Sequence, residues 1–149
     1  LWAANGYTPS FVSDIVEDGS VFCIDVAPLP VRDLFFLAEK RTNMVAMLEN
    51  AKTPEDYVEK IPTVDVVYQD IAQRDQTKIF IKNMEACLKK GGYGLLAIKS
   101  RSIDVTKRPR DVYQEQRYIL SEAGYEIVEM VNLEPFERDH VMALVKKKH

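Results

Sequence analysis

Cysteine is scarce in this sequence: two residues in 149, Cys23 and Cys87, far apart and each inside an apolar segment. That usage excludes a disulfide framework and a cysteine-based metal centre, and two buried thiols in a reducing compartment are expected instead. Long hydrophobic runs are absent too, and none approaches the ~20 residues that a membrane span needs. Nothing has the pattern of a signal peptide, and no membrane partner is expected. Only one glycine, Gly6, falls in the first turn, AANGYTPS, so the G-x-G-x-x-G spacing that lets a backbone approach a pyrophosphate is missing. Positive charge is not in excess either: 20 Lys and Arg stand against 23 Asp and Glu, a net charge of −3, which argues against a freestanding nucleic-acid binder.

What is present is an ordinary globular composition, 46% hydrophobic and 29% charged. A chain of this length is about one domain and buries roughly two thirds of its unfolded surface. One segment departs from the acidic average. Residues 99–110, KSRSIDVTKRPR, carry five cations against the single acid Asp104, a local positive surface on an acidic protein.

Along the chain, strand and helix signals alternate. Thr8-Pro9 predicts a helix over 9–16, with Thr8 as N-cap and Pro9 at the first helical position. The apolar run 21–27 reads as a strand buried on both faces of a parallel sheet. Helical spacing follows over 30–41, with Lys40 and Arg41 in the last turn, where the helix dipole favours cations. A third strand is expected over 43–48, counting the stub 1–3 as the remainder of the first. Thr53-Pro54 with Glu55 and Asp56 predicts a short helix to residue 60. A strand over 64–70, a long helix stopped by Gly91-Gly92, a strand over 93–100 and a helix over 109–123 come next. The last stretch, YEIVEMVNL then VMALVKKK, reads as an antiparallel pair. The class is therefore α/β: a Rossmann-like, mostly parallel twisted sheet with an antiparallel C-terminal hairpin strand and helices on both faces.

Ligands in such sheets bind at the carboxyl ends of the strands. Those ends are Gly6-Tyr7-Thr8, Asp25, Asn50, Asp70, Lys99 and Ser100. Asp25, closing the second strand, is placed to accept hydrogen bonds from a ribose diol. The missing glycine spacing disfavours a nicotinamide dinucleotide. S-adenosylmethionine, which has no phosphates, demands less of that loop, and the closing hairpin favours the methyltransferase version of the sheet.

Three stretches carry a resemblance. VDVVYQDIAQRDQTKI, GGYGLLAIKSRSIDVTKRP and NLEPFERDHVMALV closely resemble fibrillarin, the RNA 2′-O-methyltransferase of box C/D guide ribonucleoproteins, and its archaeal form in particular. LWAANGYTPSFVSDIV is similar to that family's cofactor loop and first helix, so the likeness covers essentially all 149 residues. The resemblance implies S-adenosylmethionine-dependent methylation of ribose in rRNA and tRNA. It implies Asp70, Lys99 and His140 at the catalytic site: Lys99 and Asp70 as a coupled orienting pair, His140 assisting. For the cofactor it implies Gly6, Tyr7, Thr8, Asp25, Val26, Asn50, Ala51 and the run Asp70, Ile71, Ala72, Gln73. No metal is expected.

The resemblance also implies partners. Guide and target RNA would meet Arg101, Lys107, Arg108 and Arg110, and a Nop-domain scaffold protein would bring the enzyme to them. Cations of this kind hold phosphates and fix register without reading sequence. The implied location is cytoplasmic for an archaeal protein and nucleolar for a eukaryotic one. The family usually has Gly, Thr and Asp where this chain has Trp2, Tyr7 and Asn50, so weakened but retained cofactor binding is expected. The alternative is a catalytically silent component kept for assembly of the ribonucleoprotein. The family's N-terminal subdomain and fourth catalytic residue precede the point where this sequence begins. A domain starting inside its own first strand is expected to be marginally stable.

Overall fold

The computed structural model describes residues 1–148, and the chain divides into two compact units, Leu1–Ile61 and Pro62–His149. Among the described residues no helix is long and apolar enough to cross a membrane.

The first unit holds helix α1 (Tyr7–Ile15), strand β1 (Val21–Asp25), helix α2 (Pro28–Ala38) and strand β2 (Met44–Leu48), followed by two 3-10 turns, Pro54–Asp56 and Val58–Lys60. β1 and β2 pair in parallel from Val21↔Met44 to Asp25↔Leu48. Cys23 and Ala46 from these strands, with Leu34 from α2, Ala3 and Met44, form the buried cluster.

Several boundaries differ from those expected. Thr8 does not cap α1: the cap is Gly6, in the left-handed conformation at φ 95°, whose carbonyl accepts the Ser10 N–H at 2.8 Å. A side chain at residue 6 would be strained there, and its Cβ would fall 2.6 Å from Leu37 Cδ2. α2 starts at Pro28 rather than 30 because β1 stops at Asp25. It also ends at Ala38, so Arg41 lies past its last turn. Arg41 instead reaches the end of α1, donating to the Ser10 carbonyl at 3.2 Å and to Asp14 Oδ1 at 2.6 Å. Asn43 Nδ2 joins it there, donating to the Ser13 and Val16 carbonyls, both at 2.8 Å. The orphan carbonyls of one helix are thus satisfied from the loop after the next. Residues 1–3 form no strand; Trp2 (φ 62°) and Ala3 both donate their N–H to the Ile24 carbonyl, at 2.8 and 3.1 Å.

The second unit holds β3 (Val64–Gln69), α3 (Gln76–Cys87), β4 (Leu88–Lys99), the short α4 (Ser100–Ile103), α5 (Pro109–Glu122), β5 (Tyr125–Asn132) and β6 (His140–Lys147). Its sheet runs β3-β4-β6-β5, with β3 and β4 parallel and the remaining pairs antiparallel. The strand–helix alternation and the closing antiparallel hairpin are those expected.

Its long helix ends earlier than Gly91-Gly92. Residue 88 already belongs to β4, and Lys147 Nζ from β6 donates to the carbonyls of Met84 and Leu88 at 3.2 and 2.9 Å, taking over the helix's C-terminal acceptors. Gly94 in β4 lets α3 come close: a Cβ there would fall 2.5 Å from Phe80 Cζ and 3.0 Å from Val145 Cγ2.

Candidate functional site

Parallel pairing puts the carboxyl ends of β3 and β4 at one edge of their sheet, and antiparallel pairing puts the amino end of β6 beside them. That topology gathers Asp70, next after β3, Lys99, closing β4, and His140, opening β6. Lys99 and His140 are direct cross-strand partners, so their side chains leave the sheet on the same face. Lys99 Nζ lies 2.7 Å from Asp70 Oδ1, with 23% and 37% of the two side chains exposed. Asp70 Oδ1 is buried and accepts no directed hydrogen bond, so the ammonium holds it by charge. Burial pushes the Tyr68 phenol up to about 12, and the negative charge of Asp70 adds to that.

His140 Nδ1 sits 2.6 Å from the Arg138 carbonyl. A carbonyl only accepts, so Nδ1 carries the proton and the lone pair of the neutral ring is at Nε2. The loop before it is tied to β4. Ser100 donates both its N–H and its Oγ–H to the Asp139 carbonyl, at 3.2 and 3.1 Å, and Arg101 Nε donates to Asp139 Oδ2 at 3.0 Å. Behind the ion pair, buried Gln69 donates its Nε2 to the Gln76 carbonyl, and the Oε1 of buried Gln76 accepts the Lys99 N–H. Gln69, Gln76 and Asp139 were not singled out from sequence, whereas Ser100 was, as a strand end.

The cofactor candidates divide between the units. In the first, the Asp25 carboxylate is buried, accepting the Ala4 N–H on Oδ2 at 2.8 Å and the Ala27 N–H on Oδ1 at 2.9 Å. Each oxygen keeps one acceptor position, the chemistry that a vicinal diol requires. Asn50 is exposed, and its Oδ1 closes a turn by accepting the Lys52 N–H at 3.0 Å. Ala51 is buried, whereas Thr8 and Val26 are exposed and Tyr7 is 81% exposed. In the second unit Ile71 is buried, Ala72 exposed and Gln73 half-buried.

The basic segment is less positive than its sequence suggests. Lys107 pairs with Glu115 at 2.6 Å, Arg108 holds Asp111 through Nε and Nη2 at 2.8 and 3.1 Å, and Arg101 pairs with Asp139. The acids come from α5 and from the loop before β6, outside the window in which charge was counted. The ion pairs raise Lys107 and lower Asp111 from their ordinary values. Arg110 is exposed, and α4 takes in residue 100, expected to close the strand, and residues 101–103, expected as loop.

Fold and strand-end carboxylates define a class. The structure matches a SAM-dependent methyltransferase from Aquifex aeolicus with a TM-score of 0.69 over 97% of this chain and 78% of that one. At 16% identity this likeness shows the fold alone, a Rossmann-like methyltransferase fold. The family model for fibrillarin matches residues 1–149, and the chain belongs to the fibrillarin family.

Among curated relatives, the fibrillarin-like rRNA/tRNA 2′-O-methyltransferase of Methanothermobacter thermautotrophicus is 46% identical over 147 residues, covering 99% of this chain and 66% of the relative. Aeropyrum pernix fibrillarin, solved with natively bound S-adenosyl-L-methionine, is 40% identical with a TM-score of 0.87 over 97% of this chain and 64% of that one. A fibrillarin solved in complex with Nop5p is 34% identical with a TM-score of 0.90, covering 99% and 69%. The chain spans between 61% and 66% of the length of the curated relatives it matches.

Proposed function

We propose that this chain transfers a methyl group from S-adenosylmethionine to a ribose 2′-hydroxyl of rRNA or tRNA. The observation that carries this reading is the contact of Lys99 with Asp70 at the strand ends, with His140 opposite Lys99 in register. The cofactor, when bound, supplies a methyl carbon activated by sulfonium.

The 2′-oxygen must meet that carbon in line, forming C–O as C–S breaks, with the electron pair leaving on sulfur and the hydroxyl proton passing to a base. Positioning supplies most of the rate in such a displacement. Lys99, held by Asp70, donates N–H to the 2′-oxygen and fixes its lone pair toward the methyl group. His140, already protonated at Nδ1, offers Nε2 to the departing proton. For the cofactor we assign Gly6, Tyr7, Thr8, Asp25, Val26, Asn50 and Ala51, with Asp25 taking the ribose diol. Similarity to a fibrillarin with natively bound S-adenosyl-L-methionine supports this assignment.

Guide RNA selects the target by base pairing, and a Nop-domain scaffold brings the enzyme to it; similarity to the fibrillarin of the Nop5p complex supports the scaffold. Arg101, Lys107 and Arg108 then exchange their acidic partners for phosphates, and Arg110 adds a further cation. Surface ion pairs are worth only ~0–1 kcal/mol each, so that exchange costs little. A second reading, a silent component of the complex, is favoured by Asn50, whose amide oxygen is already engaged.

Methyl transfer in the complex reconstituted with scaffold and guide RNA tests both readings. Label from S-adenosylmethionine should appear on the ribose of the paired nucleotide, and none on a 2′-deoxy target. Label on a base overturns the assignment, and no label with a normally assembled complex favours the silent component.

A further inference from the structure

Gln76 is fully buried at the start of α3, and its side-chain oxygen, side-chain nitrogen, backbone N–H and backbone carbonyl each make a hydrogen bond. Its Oε1 accepts the Lys99 N–H at 3.0 Å and its Nε2 donates to the Gln73 carbonyl at 2.8 Å. Its own N–H donates to the same Gln73 carbonyl at 3.3 Å, and its carbonyl accepts from Gln69 Nε2 at 2.7 Å. The three residues it reaches are the last of β4, the last of β3 and the end of the turn that begins with Asp70. The side-chain amide of Gln76 therefore joins the Lys99 backbone to the Gln73 end of the turn after Asp70, while its backbone carbonyl holds the Gln69 side chain on the other flank.

The chemistry of the side chain fits this task. A primary amide accepts and donates at once without a charge, so it can bridge a buried N–H and a buried carbonyl with neither a desolvated ion nor an orphaned group. The Lys99 ammonium closes β4 and the Asp70 carboxylate follows the end of β3, so their 2.7 Å contact depends on where the two strand ends are held. We propose that Gln76 is a positioning residue, setting the height of Lys99 against Asp70. This rests on the methyl-transfer reading of that pair. It touches neither reacting group and acts through the Lys99 backbone.

The test combines kinetics with amide exchange in the full chain assembled with scaffold and guide RNA. Gln76→Met should lower kcat about 10²-fold, since displacements near 1 Å at a reacting group have that effect, while KM for RNA stays unchanged. In a Lys99→Met background the same substitution should cost nothing further, because the group it positions is gone. Equal losses in both backgrounds, or no loss in either, overturn the proposal, since a merely structural residue would act additively. The Lys99 amide should exchange at least about tenfold faster in Gln76→Met while that of Leu96 keeps its rate. Gln76→Asn, which withdraws the amide by one methylene, carries the same expectations where Gln76→Met does not fold. A wild-type chain that assembles but transfers no methyl overturns the methyl-transfer reading instead. The Lys99 exchange rate then decides the positioning role alone: faster exchange in the variant supports it and an unchanged rate refutes it.

Discussion

Lys99 Nζ lies 2.7 Å from Asp70 Oδ1 although neither side chain is fully removed from solvent. A pair of this kind contributes ~1 kcal/mol or less, so its geometry rather than its stability is what the sheet edge provides. Lys99→Met should therefore leave the melting temperature within a few degrees of wild type. Asp70→Asn should also lower the Tyr68 pKa from about 12, because the Asp70 charge is one of the two causes that raise it. Absorbance titration of the phenols reads this; an unmoved Tyr68 would mean that Asp70 is not charged in the folded chain.

The Arg138 carbonyl fixes the histidine tautomer. Long-range nitrogen–proton spectra should show neutral His140 protonated at Nδ1, as the 2.6 Å contact requires. A ring protonated at Nε2 would withdraw the lone pair assigned to the hydroxyl proton.

The paired cations make a prediction opposite in sign to a simple charge count. Glu115→Gln and Asp111→Asn free Lys107 and Arg108, and should tighten RNA binding and steepen its salt dependence, by up to about 0.9 in the logarithmic slope for each phosphate gained. Replacing Lys107, Arg108 and Arg110 together should flatten the slope. Filter binding across salt concentrations measures both, and a slope unchanged by either set removes this segment from the RNA interface.

Alkaline stability follows from buried acids. Burial pushes the Cys23 thiol from 9.0 to about 11 and, as the main cause, the Tyr68 and Tyr125 phenols from 10.0 to about 12. The unfolded chain loses these protons first, so the stability they confer is complete below pH 9 and is lost as pH rises to 12. Urea unfolding at a series of pH values should show that decline, and Cys23 should resist alkylation at pH 8 until the chain unfolds. A flat profile from pH 8 to 12 contradicts the assigned burial.

How much of this was legible in the sequence depends on where each cause lies along the chain. Asp70, Lys99 and His140 were legible because each sits at a strand end, and strand ends follow from local apolar runs and the topology that joins them. The end of α3 was not, because its final carbonyls are taken by Lys147, a residue 59 positions beyond Leu88. Local start signals also overstated Thr53-Pro54, where two 3-10 turns stand instead of a helix. The charge of the basic segment was misread for the same reason as α3: Asp139, which neutralises Arg101, is 38 residues away. Gln76 was invisible, since nothing local distinguishes a buried bridging amide from a solvated one.

Methyl transfer by Lys99→Met and Asp70→Asn in the reconstituted complex, with S-adenosylmethionine binding measured alongside, tests the central claim most directly. Either substitution should slow transfer by about 10²-fold or more, and the double variant should be no slower than the worse single one, as expected of groups acting as a unit. Transfer at the wild-type rate by Lys99→Met, with cofactor and RNA bound as before, would contradict the account.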